Sequence, residues 1–76
     1  MIQELDPVAL QHDLHEHGLR SGDVGTVVHA YRGGKGLEVE FLTGAGDTVA
    51  VVTLATSDVR PLGGEEILHA RRLASA

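Results

Sequence analysis

The sequence predicts an all-β fold: a small five-stranded antiparallel barrel in residues 1–62, followed by a short C-terminal helix or tail in residues 63–76. At 76 residues the chain is long enough for one domain only. Residues 37–42 alternate between apolar and acidic side chains, which is the period of a half-buried strand. Residues 22–28 place two glycines three apart before a β-branched run, a pattern typical of a tight turn entering a bent strand.

The composition restricts both the core and the chemistry. The chain has one Phe, one Tyr, no Trp and no Cys. Aliphatic side chains must therefore fill the core, which suits a compact barrel. The lack of cysteine excludes disulfides, a thiolate zinc site and a cysteine nucleophile. The shortage of aromatic residues argues against a stacking platform for single-stranded nucleic acid.

Charge and hydropathy indicate the kind of partner and compartment. The formal net charge is −5, and all of the excess lies in residues 1–62. An acidic surface repels phosphate backbones and lipid headgroups and attracts basic proteins. The N-terminus has no signal-peptide pattern, and no apolar run approaches the roughly 20 residues of a membrane span. We therefore expect a cytoplasmic protein with a protein partner and no membrane contact.

Five short apolar runs separated by turn residues predict the strands. The second is apolar on both faces and contains Gly25, so we expect it to curl between two halves of the barrel. The fourth is also apolar on both faces, which predicts a central position in the sheet. The fifth contains Pro61, which predicts an edge. The predicted strands are 6–10, 24–31, 37–42, 48–54 and 59–62.

The connections differ in length and character. Residues 11–21 form a long polar loop, and the three glycines of 32–36 predict a hairpin loop. Residues 55–58 predict a short turn of 3-10 type. After Gly64, acidic residues come first and arginines near the end, which matches the helix dipole. Residues 65–76 are therefore predicted to be a tail that either docks on the barrel as a short helix through Ile67, Leu68 and Leu73, or frays.

Four segments in a fixed order carry a resemblance to a known family. They are HGLRSGDVGTVV at 17–28, EVEF at 38–41, TVAVVTL at 48–54 and DVRPL at 58–62. With them, the chain resembles a family of small bacterial SH3-like β-barrel proteins that is catalogued as a domain of unknown function. The resemblance implies an SH3-like barrel and a bacterial origin, and it supplies no catalytic or ligand residues.

A looser resemblance rests on the strand entry Gly22-Asp-x-Gly25 alone. This entry is similar to that of KOW-type modules in ribosomal and transcription proteins, and to the barrel of the nitrile hydratase β-subunit. In the family pattern a proline is usual where this chain has His15, so His15 is a local variation.

The long loop contains the one cluster of potential metal ligands. His12, His15 and His17 alternate with acidic residues, and imidazole with carboxylate suits zinc, nickel or copper. The alternative is a solvated loop that happens to be rich in histidine. The sequence predicts no other cofactor.

Candidate partner-binding residues lie in two loops and on two strands. By analogy with SH3-like folds, a peptide groove is expected between the 11–21 loop and the 32–36 hairpin. Glu38 and Glu40 point outward beside it, either as an acidic stripe for a basic partner or as an ordinary polar face. The 32–36 loop lacks the spacing and the strand-to-helix context of a phosphate-binding loop. The candidates are His15, His17, Arg20, Tyr31, Arg32, Lys35, Glu38 and Glu40.

These features favour a non-enzymatic protein-binding module, for example an antitoxin, an immunity protein or an accessory subunit. No serine has nucleophile-elbow spacing, and the outward carboxylates have no pocket that would separate their pKa values. Metal binding by the histidine loop is one alternative. Self-association through an edge strand carrying Val49 and Val51 is another. A KOW-like nucleic-acid module would instead use a rim of cations, namely Arg20, Arg32, Lys35 and Arg60.

Overall fold

The computed structural model describes residues 2–73 and contains a single antiparallel sheet of five strands. Short 3-10 turns lie in the connections, including Thr56–Asp58 just before the last strand. Every strand lies within one residue of its predicted limits, so the all-β five-stranded fold is confirmed. Along the chain the strands are β1 Pro7–Leu10, β2 Val24–Ala30, β3 Leu37–Leu42, β4 Thr48–Leu54 and β5 Val59–Pro61. Across the sheet they lie in the order β4-β3-β2-β1-β5.

Strand β2 joins the two halves of the sheet. Its first residues, 24–26, pair with β1, and residues 26–30 pair with β3. The register shifts between Val27 and His29, which is the signature of a bulge that increases bending. This is the curled strand that the sequence predicts.

Two glycines make the entry to β2. Gly22 has φ 92°, a left-handed conformation that disfavours other residues, and its amide donates to the Leu10 carbonyl oxygen at 2.8 Å. Gly25 is buried, and a Cβ added to it would lie 2.6 Å from Cγ1 of Val39. Gly22 therefore makes the turn, and Gly25 allows strands β2 and β3 to approach closely.

The core is aliphatic with a single aromatic ring. In β3 the apolar side chains point inward while Glu38 and Glu40 point outward, which confirms the predicted alternation. Leu19 of the long loop also reaches the core, so that loop is anchored at one point. The core cluster is Val8, Leu10, Leu19, Val27, Leu37, Val39, Phe41, Leu54 and Val59.

The predicted central position of the fourth strand is wrong. Strand β4 lies at the end of the strand order and, within the described residues, pairs only with β3. Val52 packs against the core, whereas Val51 on the other face is 52% exposed. Valine suits the pleated surface of a half-exposed strand as well as a buried one, so apolar faces alone did not establish burial. The predicted edge position of β5 is confirmed.

The predicted C-terminal helix is absent from residues 65–73, and residues 74–76 lie outside the described part of the chain. A turn at Gly63–Glu66 is followed by irregular backbone. Docking through apolar side chains is also wrong for Ile67, which is 92% exposed. A segment of about a dozen residues has too little intrinsic helicity to fold without packing. In residues 2–73 no helix is long and apolar enough to cross a bilayer.

Candidate functional site

The predicted site residues that come together lie at the end of β2. The hydroxyl of Tyr31 donates to Oε2 of Glu38 at 2.8 Å, and Oγ1 of Thr53 donates to the same oxygen at 2.6 Å. The His29 ring packs edge-on against Tyr31, with centroids 4.6 Å apart. The register causes this arrangement, because Glu38 faces both His29 and Thr53 on the neighbouring strands.

Hydrogen bonding sets the protonation of this cluster. The Thr53 and Tyr31 hydroxyls hold the pKa of Glu38 below its ordinary value, against the opposing effect of burial. The bond to Glu38 raises the pKa of Tyr31 in turn. At neutral pH the cluster therefore contains a carboxylate and a neutral phenol. His29 Nδ1 also lies 3.4 Å from Oε2 of Glu4.

The glycine-rich hairpin lies beside the tyrosine. Gly33 and Gly34 adopt left-handed φ values near 70°, which confirms the predicted turn chemistry. Arg32 and Lys35 are exposed and line a shallow hollow of about 610 Å³ together with His29 and Tyr31. The hairpin therefore places two cations next to the aromatic side chain.

The same side of the sheet continues along β3 and β4. Glu40 accepts a hydrogen bond of 2.7 Å from Oγ1 of Thr48 and lies opposite Val51. Leu42, next outward on β3, is exposed as well. We call this surface the outer face; it consists of His29, Tyr31, Glu38, Glu40, Leu42, Val51 and Thr53.

The histidines of the long loop do not converge. His15 and His17 are exposed in a 3-10 turn, and Nε2 of His15 lies 4.0 Å from Oδ2 of Asp13. His12 instead bonds to Asp58 across the chain. Within residues 2–73, no three His, Cys, Asp or Glu side chains form a group suited to a metal ion. Metal binding through His12, His15 and His17 stays a prediction without a preformed site.

His12 has an acceptor opposite each of its ring nitrogens. Nε2 lies 2.8 Å from Oδ1 of Asp58 and Nδ1 lies 3.1 Å from the carbonyl oxygen of Asp13. Both partners only accept, so both bonds form together only when each ring nitrogen carries a proton. The contact between His12 and Asp58 joins the long loop to the 3-10 turn before β5.

The pKa of His12 is expected to fall towards 6.5 in Asp58→Asn, because the Asp58 bond, followed by the Asp13 carbonyl, raises it above that value. His12, followed by the Ala55 amide, lowers the pKa of Asp58. The raised pKa of His12 adds stability that is fully present below pH 6.5 and is lost as the pH rises through the folded-state pKa. The lowered pKa of Asp58 adds stability that is present above about pH 4 and is lost as the pH falls through the folded-state pKa. The His12–Asp58 pair therefore stabilises the fold most between about pH 4 and pH 6.5. NMR titration of the His12 ring is the measurement. An identical His12 titration in both proteins would contradict this assignment.

The remaining predicted residues do not join the outer face. His15, His17 and Arg20 precede β2, whereas Arg32 and Lys35 follow it, so a strand of about 20 Å separates the two loops. The hollow beside Tyr31 is lined by the hairpin and by no residue of the 11–21 loop, and a peptide groove between the two loops stays a prediction. Arg60, one of the four cations of the predicted rim, pairs with Glu66 at 2.6 Å. Nucleic-acid binding stays a prediction.

A second site, missed by the sequence analysis, joins the tail to the barrel. The Arg71 guanidinium meets the Asp23 carboxylate through Nε to Oδ1 at 2.9 Å and Nη2 to Oδ2 at 2.5 Å. Nη2 also donates to the Gly18 carbonyl oxygen at 3.0 Å. Burial raises the pKa of Asp23, but bonds from Arg71 and the Arg20 amide outweigh this and leave it below its ordinary value. The acid–arginine pairing has no local sequence signal, since the partners are 48 residues apart.

The fold defines a small all-β domain with five antiparallel strands in one sheet. Residues 4–61 match the family described as Domain of unknown function (DUF4926), so the chain belongs to that family. No curated protein and no solved structure is significantly similar to the chain. The similarities to KOW-type modules and to the nitrile hydratase β-subunit stay predictions.

Proposed function

We propose that this chain is a non-enzymatic protein-binding module that engages a basic partner through the outer face. One observation carries the proposal: Tyr31 is 44% exposed, yet its hydroxyl is fixed on Glu38. Tyrosine is enriched at protein interfaces because it offers a large contact area with few torsions to immobilise. A tyrosine already held in place loses little further freedom when a partner binds.

The surroundings of Tyr31 supply the apolar area and the charge of the proposed interface. Val51 and Leu42 are exposed aliphatic side chains on the same face and supply apolar area. Glu38 and Glu40 add negative charge, in keeping with the net charge of −5. Charges at the rim of an interface mainly raise the association rate with an oppositely charged partner. This composition favours a basic protein surface over a nucleic acid.

The protonation of the cluster supports a non-enzymatic function. General acid–base catalysis works best with a pKa near the working pH. The pKa of Glu38 moves down and that of Tyr31 moves up, so both move away from neutrality.

Tyr31→Ala is expected to weaken partner binding by roughly 30-fold, corresponding to the loss of about 2 kcal/mol at an interface hot spot. The measurement is affinity capture from the source cell, followed by titration calorimetry with the partner that is recovered at one-to-one stoichiometry. Because Tyr31 is outside the core, the melting temperature of the Tyr31→Ala protein should stay close to that of the wild type.

The control variant is Ile67→Ser, which removes an exposed apolar side chain outside the outer face. We expect it to bind the partner as the wild type does. A stoichiometric partner that binds Tyr31→Ala as tightly as the wild type would rule out the outer face. Recovery of no stoichiometric partner at all would count against the protein-binding function itself.

Self-association through β4 is a second candidate. Its support is the position of β4 at the end of the strand order, together with the exposure of Val51. An edge strand carries unpaired backbone groups that can pair with a second copy. Val49, the other residue predicted for this contact, instead packs against the core. A light-scattering mass of a single chain would remove this candidate.

A further inference from the structure

We propose that Asp23 and the Gly18 carbonyl form a guanidinium-binding site for an arginine in an extended basic segment of a partner protein, and that Arg71 occupies this site within the chain. We call this pair of acceptors the Asp23 site. It is separate from the outer face, and its assignment does not depend on what the outer face binds.

The geometry of the Asp23 site matches a guanidinium. The two carboxylate oxygens accept from Nε and Nη2 of Arg71, and the Gly18 carbonyl accepts a second bond from Nη2. A planar guanidinium fits two parallel acceptors, whereas a lysine ammonium offers a single point charge. The side chains of Asp23 and Arg71 are only 18% and 22% exposed, so the pair is partly shielded from water.

The loop holds these acceptors in place without the tail. The Arg20 amide donates to Oδ2 of Asp23 at 2.8 Å, and the Asp23 amide donates to the Arg20 carbonyl at 2.9 Å. Gly18 adopts a left-handed φ of 67° at the end of a 3-10 turn, with its amide bonded to the His15 carbonyl oxygen at 3.1 Å. The site is therefore organised by residues 18–23 and stays available when Arg71 leaves.

The tail is attached through few contacts. In the described part of the tail, no backbone hydrogen bond joins residues 67–73 to the barrel. Near the start of the tail, Glu66 accepts hydrogen bonds from Arg60 and from the Gly63 amide. Further along the described tail, the hydrogen bonds to the barrel come from the Arg71 side chain. The attachment of residues 67–73 therefore depends on this one side chain. A partner arginine can therefore compete with Arg71 for the acceptors.

The space beside the Asp23 site accommodates more than one side chain. A cavity of about 560 Å³ lies between the tail and the barrel, and apolar residues of the barrel line it, among them Leu19, Phe41 and Val49. A segment that places an arginine on Asp23 can put a neighbouring aliphatic side chain here. All of the net charge of −5 belongs to residues 1–62, because Glu65 and Glu66 cancel Arg71 and Arg72 in the tail. This charge attracts a basic segment.

The test uses the full chain and a fluorescent peptide with the sequence of residues 67–73, which carries two arginines and no acidic residue. The peptide is expected to bind Arg71→Ala at least tenfold more tightly than the wild type, because removing Arg71 removes a competitor of high effective concentration. Arg72→Ala is the matched control and should behave as the wild type does. Fluorescence anisotropy gives the affinities. Equal binding by wild type and Arg71→Ala, or no binding by Arg71→Ala, would overturn the proposal.

Changes in the peptide test the chemistry without touching the fold. Replacing its Arg71 by lysine keeps the charge but removes the bidentate geometry, so affinity for the Arg71→Ala chain should fall at least fivefold. An unchanged affinity would mean that charge alone attracts the peptide, and the guanidinium site would be rejected. Adding Tyr31→Ala to the chain should leave peptide binding unchanged, which separates this result from any failure of the outer face.

Discussion

Gly25→Val is expected to destabilise the folded chain by about 3 kcal/mol, the upper part of the range for overpacking a core. A Cβ at position 25 would lie 2.6 Å from Cγ1 of Val39, 2.9 Å from the Glu40 carbonyl oxygen and 2.9 Å from Cε1 of Phe41. The carbonyl belongs to a paired strand and cannot move without disturbing the sheet. In a domain of this size the melting temperature should fall by about 15 °C, measured by calorimetry.

Gly44→Ala is the control for this prediction. Gly44 lies in the β3–β4 turn outside the left-handed region, and an added Cβ would have open space around it. The free energy of unfolding of the Gly44→Ala protein should stay within about 0.5 kcal/mol of the wild-type value. A Gly25→Val protein with an unchanged melting temperature and lost partner binding would mean that Gly25 serves recognition instead of packing.

Phe41→Ala is expected to cost about 3–5 kcal/mol, the usual range for removing a buried aromatic ring. Phe41 is the only phenylalanine of the chain and is 2% exposed. A domain of this size has little stability to spare, so most of the variant should be unfolded at 37 °C. Urea denaturation followed by circular dichroism measures the difference.

The neighbouring residue provides the comparison for Phe41. Leu42 is 50% exposed, so Leu42→Ala should change the free energy of unfolding by less than about 1 kcal/mol. Equal destabilisation by the two substitutions would contradict the assignment of Phe41 to the core and Leu42 to the outer face.

The strands were predictable because each carries its own signal. The alternation in residues 37–42 is a local pattern, and burial of every second side chain is its direct physical consequence. Gly25 was likewise identified from its place in a β-branched run. The Tyr31–Glu38 contact joins candidates that were identified separately, through a hairpin whose glycines indicate the turn.

The contacts that sequence patterns missed join distant parts of the chain. His12 with Asp58 and Asp23 with Arg71 are pairs of ordinary charged residues, and their positions along the chain carry no sign of pairing. The helical alternative for the tail was predicted from charge order, but its intrinsic helicity is marginal, and Ile67 and Leu68 are exposed and give it no packing. The edge position of β4 was missed because valines on both faces describe a strand without showing which strands neighbour it.

The pairing of β1 with β5 has a consequence for how the chain folds during synthesis. β1 is made before β5, yet one of its edges is completed only by Val59–Pro61. Until β5 emerges, that edge of β1 carries unpaired backbone groups next to Val8 and Leu10, which are buried in the folded domain. Contacts of such long range also form slowly. A nascent or truncated chain that stops before residue 59 is therefore expected to aggregate, whereas one that stops at residue 62 retains every strand.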